Sequence, residues 1–302
     1  MRAKTIHYIM IGILVVVIIF IISTKSKDDT QPEAQVIWGE AVQITQDIEV
    51  NTVGFTTDSK LQFTGGDNIY VSNVDGTEIR TLFEYQGVRR SQMSPDRSTI
   101  VLDNDLDIYV ANADGSDLTA VANDSDLLEF AVSFTPDGQA ITYVTIDNIN
   151  SEYGIWKMDP DGNNKRNIFD STLDIFRHPR QNPDGNKISY FTTGKDKQPT
   201  IYVMNSDGTN STALTNPSDD GPSRQASWSP DGQQIVYSSK QSGDFNLWIM
   251  DADGQNKKQI TSIPGDEAKP VWSSDSKMIV FLCSDCFGTL GSDIYTIQLL
   301  ND

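Results

Sequence analysis

The chain has 302 residues, with 23 Lys and Arg against 42 Asp and Glu, for a formal net charge of −19. Residues 1–24 contribute Arg2 and Lys4 and no acid, so the acidity lies in everything that follows. It excludes nucleic acid and anionic lipid as partners of that body, because both need a basic footprint, and its plain consequence is colloidal solubility.

The first element is apolar. Tyr8 to Ser23 runs almost without a polar residue, and at about 1.5 Å of rise per residue a helix here, extended to Thr24, roughly spans a bilayer core. Arg2, Lys4 and the α-amino group precede it, while Lys25 and Lys27 follow together with Asp28 and Asp29. That charge balance gives a moderate positive-inside signal for a cytoplasmic N-terminus. No Ala-x-Ala type of cleavage site follows, which favours an uncleaved signal anchor over a removed signal peptide. The expectation is one transmembrane helix over residues 1–24, a polar tether over 25–39, and residues 40–302 held outside the cytoplasm, in a periplasm or at the cell surface.

From there a short phrase recurs. It reads Phe55-Thr56-Thr57-Asp58, Met93-Ser94-Pro95-Asp96, Phe134-Thr135-Pro136-Asp137-Gly138, Gln181-Asn182-Pro183-Asp184-Gly185, Trp228-Ser229-Pro230-Asp231-Gly232 and Trp272-Ser273-Ser274-Asp275. The spacing of roughly 38 to 47 residues is that of a four-stranded propeller blade. After each mark comes an apolar run such as Ile141-Thr142-Tyr143-Val144 or Ile235-Val236-Tyr237, rich in the β-branched and aromatic residues that suit a buried pleated surface. A second run follows, such as Ile108-Tyr109-Val110 or Leu247-Trp248-Ile249-Met250, ending in an Asp-Gly turn at Asp75-Gly76, Asp114-Gly115, Asp161-Gly162, Asp207-Gly208 and Asp253-Gly254. Gly accepts positive φ there, and Asp bonds its own following backbone. Segments such as Ser211-Thr212-Ala213-Leu214-Thr215 and Lys258-Gln259-Ile260-Thr261 close each unit. The predicted class is all-β: a six-bladed β-propeller of four-stranded antiparallel blades, preceded by one transmembrane helix.

The last unit ends at Ile294 to Leu300 with only Asn301 and Asp302 behind it, one strand short. Glu40-Ala41-Val42-Gln43-Ile44-Thr45 reads like a closing strand although it precedes the first unit. It is expected to complete the sixth blade, so that no long edge stays unpaired.

The sequence of Ser-Pro-Asp-Gly, apolar strand, Asp-Ile-Tyr or Leu-Trp strand, Asp-x-Asp-Gly turn and closing Leu-Thr or Ile-Thr resembles the WD-40-like repeat of TolB-type six-bladed propellers. The resemblance covers about residues 40 to 300 and implies a closed ring. The soluble periplasmic TolB proteins also carry an α/β domain before the propeller, for which the leading residues leave no room, so the resemblance carries the fold and not a place in a Tol-Pal system. Propellers of this type also gate prolyl-oligopeptidase-like peptidases, a role that needs an α/β-hydrolase domain.

Chemistry-bearing residues are few. Cys283-Ser284-Asp285-Cys286 lies between the second and third strands of the sixth unit, where a local disulfide or two free thiols are both open outside the cytoplasm. Zinc would need two more ligands and the histidines are His7 and His178, so no metal is expected; no cofactor is expected either. There is no Gly-x-Ser-x-Gly elbow, and His178 is the sole imidazole beyond the N-terminal segment, which argues against an enzyme. The carboxylates are numerous enough to leave a hydrolase acting on a sugar or small ester as the alternative, although most of them sit in the repeated turns.

One feature goes beyond scaffold. Aligned on the marking Asp, the sixth and seventh positions before it fall near the start of the innermost strand, at one mouth of the channel. They are Arg89 and Arg90, Arg177 and His178, Arg224 and Gln225, and Lys269, with Arg180 slightly further in; the other two units place Asn51 and Thr52, and Phe130 and Ala131. These basic groups either pair with Glu49, Glu129, Asp174, Asp220, Asp266 and Glu267 in the same loops, or hold a carboxylate of a partner or an anionic ligand through arginine forks. The expected function is a monomeric, membrane-tethered platform that binds a protein or peptide at the cell envelope, with Arg89, Arg90, Arg177, His178, Arg180, Arg224 and Lys269 as the contact residues.

Overall fold

A computed structural model describes residues 37–46, 48–147, 149–150, 152–171, 176–193, 198–286 and 291–300. The expected transmembrane helix and residues 25–36 of the tether lie outside the described residues; among the described ones, no helix is long and apolar enough to cross a membrane.

Six antiparallel sheets follow one another along the chain; five keep their strands in meander order, and the sixth adds the early segments Ile37–Trp38 and Val42–Gln43 to Ser292–Leu300. Their innermost strands are Val50–Phe55, Arg90–Met93, Leu127–Phe134, Phe176–Gln181, Ser223–Trp228 and Asp266–Trp272, for blades 1 to 6. Blade 5 is typical, continuing outward through Gln234–Ser239, Asn246–Asp251 and Lys258–Gln259. Second strands pack on both faces, which is why they read as continuous apolar runs: Ile235 to Ser239 are all buried.

The recurrent phrase is a turn that ties itself. In blade 5 the Ser229 hydroxyl donates to Asp231 at 2.6 Å and accepts the Gln234 amide at 2.9 Å. The same pair of bonds joins Thr135, Asp137 and Ala140, and Ser273, Asp275 and Met278. The worn copies keep the Ser or Thr and the Asp because these make the bonds; the Pro and Gly do not.

The Asp-Gly turn reaches the neighbouring blade. Asp161 accepts the Asn163 amide at 3.0 Å, Gly162 has φ +84°, and a Cβ on Gly162 would lie 2.9 Å from the Val121 carbonyl oxygen, on the closing strand of blade 2. Gly76 in blade 1 meets the Ile44 carbonyl in the same way, so the segment near residue 44 holds the place of a closing strand.

Closure at blade 6 confirms that placement. Val42 and Gln43 pair with Thr296 and Tyr295. The Thr45 hydroxyl accepts the Ile294 amide at 2.9 Å, as Thr215 does for Ile201 at 3.0 Å and Thr261 for Leu247 at 2.8 Å. Val50, Val53, Leu61 and Phe63 of blade 1 then pack on Val280, Leu282 and Ile294 of blade 6, sealing the ring. Ile37 and Trp38, which the sequence reading leaves in the tether, extend the same edge by pairing with Leu300 and Leu299. A two-residue strand is too short to show alternation, but Trp38 is held by an edge contact with Trp272 at 5.7 Å.

Cys283 sits on the second strand of blade 6, Met278–Ser284, opposite Asp293, and not in the loop assigned to it from sequence. The structure joins it to Cys286, and both are fully buried.

Candidate functional site

The innermost strands do not run straight. Their ladders skip between Phe130 and Ser133, Arg177 and Arg180, Arg224 and Ser227, and Ala268 and Val271. At each skip one residue is left-handed: Ala131 (φ 58°), His178 (φ 52°), Gln225 (φ 58°) and Lys269 (φ 52°). These are bulges in equivalent places, and a non-Gly residue held at positive φ costs about 1 kcal/mol or more, so the fold spends stability at one level of the channel. Blade 2 lacks the skip and pairs regularly from Arg90 to Met93.

Neighbouring blades are stitched together along these strands. Gln62 accepts the Met93 amide at 2.8 Å, Gln92 the Phe134 amide at 2.9 Å, and Gln225 the Lys269 amide at 3.1 Å. Trp228 donates its indole N–H to the Arg180 carbonyl at 3.1 Å, and the Lys269 ammonium donates to the Asn51 carbonyl.

The predicted basic residues meet different fates. Arg90 donates through Nη1 to Asp103 at 2.8 Å and Asp105 at 2.6 Å, and its guanidinium lies 5.7 Å from the Phe130 ring centre. Burial works against its charge, and the two carboxylates outweigh that, holding the guanidinium above its usual range. Asp103 has no exposed surface and also accepts the Val132 amide at 3.3 Å; burial pushes its carboxyl up and Arg90 pulls it back. Arg89 is over half exposed and 3.5 Å from Asp105, a pair of small worth. Arg224 lies over Phe245, 3.7 Å from the ring centre, and burial lowers its pKa with Asp266 partly opposing. The Arg224 Nε is buried without a partner.

Three groups share the interior with Arg90. His178 stacks on Phe191 at 5.7 Å, and burial, then Arg90, Arg180, Lys269 and Arg177, push its pKa well down, leaving a neutral imidazole. Burial and then Arg90 push Arg180 down to about 10, and its side-chain bond goes to the Pro179 carbonyl at 3.2 Å. Burial, then Arg90 and Arg224, push Lys269 down to about 8, against Asp103 and Asp105. Basic groups of blades 2, 4 and 6 thus influence one another across the ring. Among the described residues no carboxylate lies within ion-pair distance of Arg180 or Lys269.

The acids expected to neutralise this set mostly do other work, although Asp266 also acts on Arg224. Glu267 accepts the Leu247 amide at 2.8 Å and the Thr261 hydroxyl, Glu129 accepts the Asp124 amide at 3.1 Å, Asp266 accepts the Phe245 amide at 3.2 Å, and Asp220 pairs with Lys257 at 2.9 Å. Glu49 is exposed and Asp174 lies outside the described residues. The acids that do reach an arginine, Asp103 and Asp105, sit at the end of the second strand of blade 2 and just after it. Sequence alignment on the marking Asp misses them because they belong to a different loop at the same mouth. Among the described residues no group of three His, Cys, Asp or Glu could hold a metal ion.

Residues 140–301 match the family described as the TolB beta propeller domain. The uncharacterized peptidase YuxL of Bacillus subtilis strain 168 is 30% identical over 110 residues, which is 35% of this chain and 17% of that protein. The Tol-Pal system protein TolB of Anaeromyxobacter dehalogenans strain 2CP-C is 26% identical over 171 residues, 55% of this chain and 37% of that protein. The chain thus spans well under half the length of these curated relatives. Among solved structures, a putative TolB from Agrobacterium tumefaciens superimposes with a TM-score of 0.66 at 16% identity, covering 87% of this chain and 97% of that one. A gluconolactonase, XC5397 from Xanthomonas campestris, gives 0.66 at 14% identity, covering 86% and 89%. At such identities the likeness is one of fold.

Proposed function

We propose that this chain, which belongs to the TolB β-propeller domain family, is a binding platform at the cell envelope whose channel mouth receives an acidic protein or peptide. The observation that carries the reading is the convergence of Arg90, His178, Arg180 and Lys269 from alternate blades in a chain of net charge −19. Arg89, Arg177 and Arg224 extend the basic character toward the rim, where forks recognise carboxylates bidentately and loops stand on a rigid frame. A relative named as a Tol-Pal system protein supports a protein partner and an extracytoplasmic setting. In this reading residues 1–24 anchor the chain and the propeller is monomeric.

The experiment is affinity capture from native membranes with wild type and the triple variant Arg89→Ala, Arg177→Ala, Arg224→Ala, after crosslinking. Recovery of envelope proteins should drop several-fold. Undiminished recovery removes the reading.

A second reading, a hydrolase acting on a sugar or small ester, draws on the adjacent carboxylates Asp103 and Asp105 and on the fold shared with a gluconolactonase. Both carboxylates hold Arg90, which ranks this reading second. Lactone or ester hydrolysis abolished by Asp103→Asn would reverse the order.

A further inference from the structure

We propose that a cleft between blades 1 and 2, on the face opposite the basic mouth, binds a small aliphatic monocarboxylate, with its chain on Val71, Leu82 and Met93 and its head held by Lys60 and Arg80. The inference goes beyond the reading of the mouth as a binding platform and does not rest on it.

The marking turns follow the innermost strands, so they line the end of the channel away from Arg90. At other joints they help to fill the space between blades. The aromatic residue that opens the phrase is buried there: Phe134 between blades 2 and 3, Trp228 between blades 4 and 5, Trp272 between blades 5 and 6. Pro95 lies against Gly138 of the next blade and Pro183 against Gly232, so close that a Cβ on these glycines would stand 3.2 and 3.6 Å from the proline ring. The joint between blades 1 and 2 lacks both devices. Met93, unbranched and narrower, stands where those rings stand; Thr57 takes the place of the proline, and Arg97, at φ 62°, that of the glycine. What remains is a cavity of about 400 Å³, lined by Val71 and Leu82 from one blade and Met93 and Ala113 from the next, with Lys60, Arg80 and Arg97 among its walls. Small-molecule sites have volumes of roughly 300 to 1,000 Å³. At about 30 Å³ for each water-sized group, this one takes on the order of a dozen non-hydrogen atoms.

The acids of the cavity are already engaged. Asp58 accepts the Thr56 hydroxyl at 2.6 Å and the Arg97 guanidinium at 2.8 Å, and Asp96 accepts the hydroxyls of Ser94 and Ser98 at 2.6 and 2.8 Å. Two of the cations are not. Arg80, which stands opposite Val71 on the closing strand, enters no ion pair among the described residues. Lys60 has only Glu78, at 4.0 Å and 71% exposed. Cationic donors over an apolar floor suit a ligand that is anionic at one end and aliphatic at the other, and an arginine fork takes a carboxylate through two parallel bonds. A second carboxylate on the same ligand would have to lie unpaired against Leu82 and Met93, which is costly. The head groups are exposed and contribute modestly, so the floor sets the strength of binding: each methylene it covers is worth about fourfold in affinity.

The test uses the purified full chain in detergent, isotope-labelled at its methionine methyl groups and titrated with hexanoate and, separately, with hexylamine. The Met93 methyl resonance, identified by its loss in Met93→Leu, should shift saturably with hexanoate and stay in place with hexylamine. From butanoate to hexanoate the affinity should rise by about tenfold or more. Lys60→Gln combined with Arg80→Gln should weaken binding by about tenfold and leave the spectrum of the free protein unchanged. Met93→Phe, which restores the ring found at the other joints, should melt higher than wild type and lose the rise in Tm that hexanoate gives wild type. If that variant does not fold, Ala113→Leu fills the same space and carries the same expectation for binding. A Met93 signal that ignores hexanoate, shifts alike with hexylamine, or responds alike in the double variant overturns the proposal. The capture experiment reads the opposite mouth, so either reading can fail while the other stands.

Discussion

The Thr45 hydroxyl accepts the Ile294 amide at 2.9 Å and donates to the Asp293 carboxylate at 3.1 Å, across 249 and 248 residues of chain. One side chain thus accepts an amide, as Thr215 and Thr261 do within their own blades, and donates to a carboxylate, as Thr261 does to Glu267. Thr45→Val keeps the shape and removes both, leaving a buried amide and a buried carboxylate short of a partner. The expected cost is about 2 to 3 kcal/mol, or roughly 4 to 12 °C in Tm for a domain of this size. Thr215→Val, which lacks the acid partner, should cost less. Equal losses in urea titrations would show that the Asp293 bond adds nothing. Deletion of residues 40–46 should lower the melting temperature more than either substitution.

The marking aspartates define an acid limb. The Ser94 hydroxyl, then the Ser98 amide and hydroxyl, hold Asp96 at about 2, and Asp58, Asp137, Asp231 and Asp275 are lowered by Thr56, Thr135, Ser229 and Ser273. Unfolded aspartate titrates near 3.9. The unfolded chain therefore binds more protons in this window, so the stabilisation is complete above about pH 4 and is lost as pH falls toward about 2. Melting curves taken from pH 5 to pH 2 should show a steep decline, and Ser94→Ala combined with Ser229→Ala should flatten it.

Glu267 runs the other way. Burial raises its carboxyl to about 7, against the bonds from Thr261 and Leu247, and its Oε1 is buried without a partner. Here the native state is the better proton binder between about pH 4.3 and pH 7, so stability falls as pH rises through that window and levels off above it, on the order of 3 kcal/mol in all. Glu267→Gln should remove the slope and be the more stable protein at pH 8. A wild type and variant with parallel pH profiles would contradict it.

Gly162→Ala forces a Cβ to within 2.9 Å of the Val121 carbonyl at φ +84°, whereas Gly87→Ala at φ +78° meets open space. Both bear the cost of a left-handed alanine, about 1 kcal/mol. Only the first also pushes blades 2 and 3 apart, and it should lose about 2 to 4 kcal/mol in total. Chemical unfolding of the two variants side by side checks the difference.

The sequence exposed the ring because each blade repeats its own instructions: the Ser229 and Asp231 turn, the Asp161-Gly162 turn and the closing Thr261 are local devices whose bonds form within a few residues or one blade. It also set the basic residues at equivalent positions of the repeat, and those of blades 2, 4 and 6 influence one another electrostatically. It hid the left-handed bulges, because Ala131, His178, Gln225 and Lys269 carry none of the glycine signal that normally marks positive φ. The partners of Arg90 were hidden too. Asp103 and Asp105 are 13 and 15 residues away in the chain, and nothing in their spacing sets them apart from the many acids that only cap turns.

Because Ile37 stands opposite Leu300 in one sheet, the path enters and leaves the toroid at the same place. Its order of blades then has no privileged origin. A circular permutant joined across this seam and cut at an exposed turn such as Gly87 would trace the same ring from another starting point, turning the seam into an ordinary hairpin.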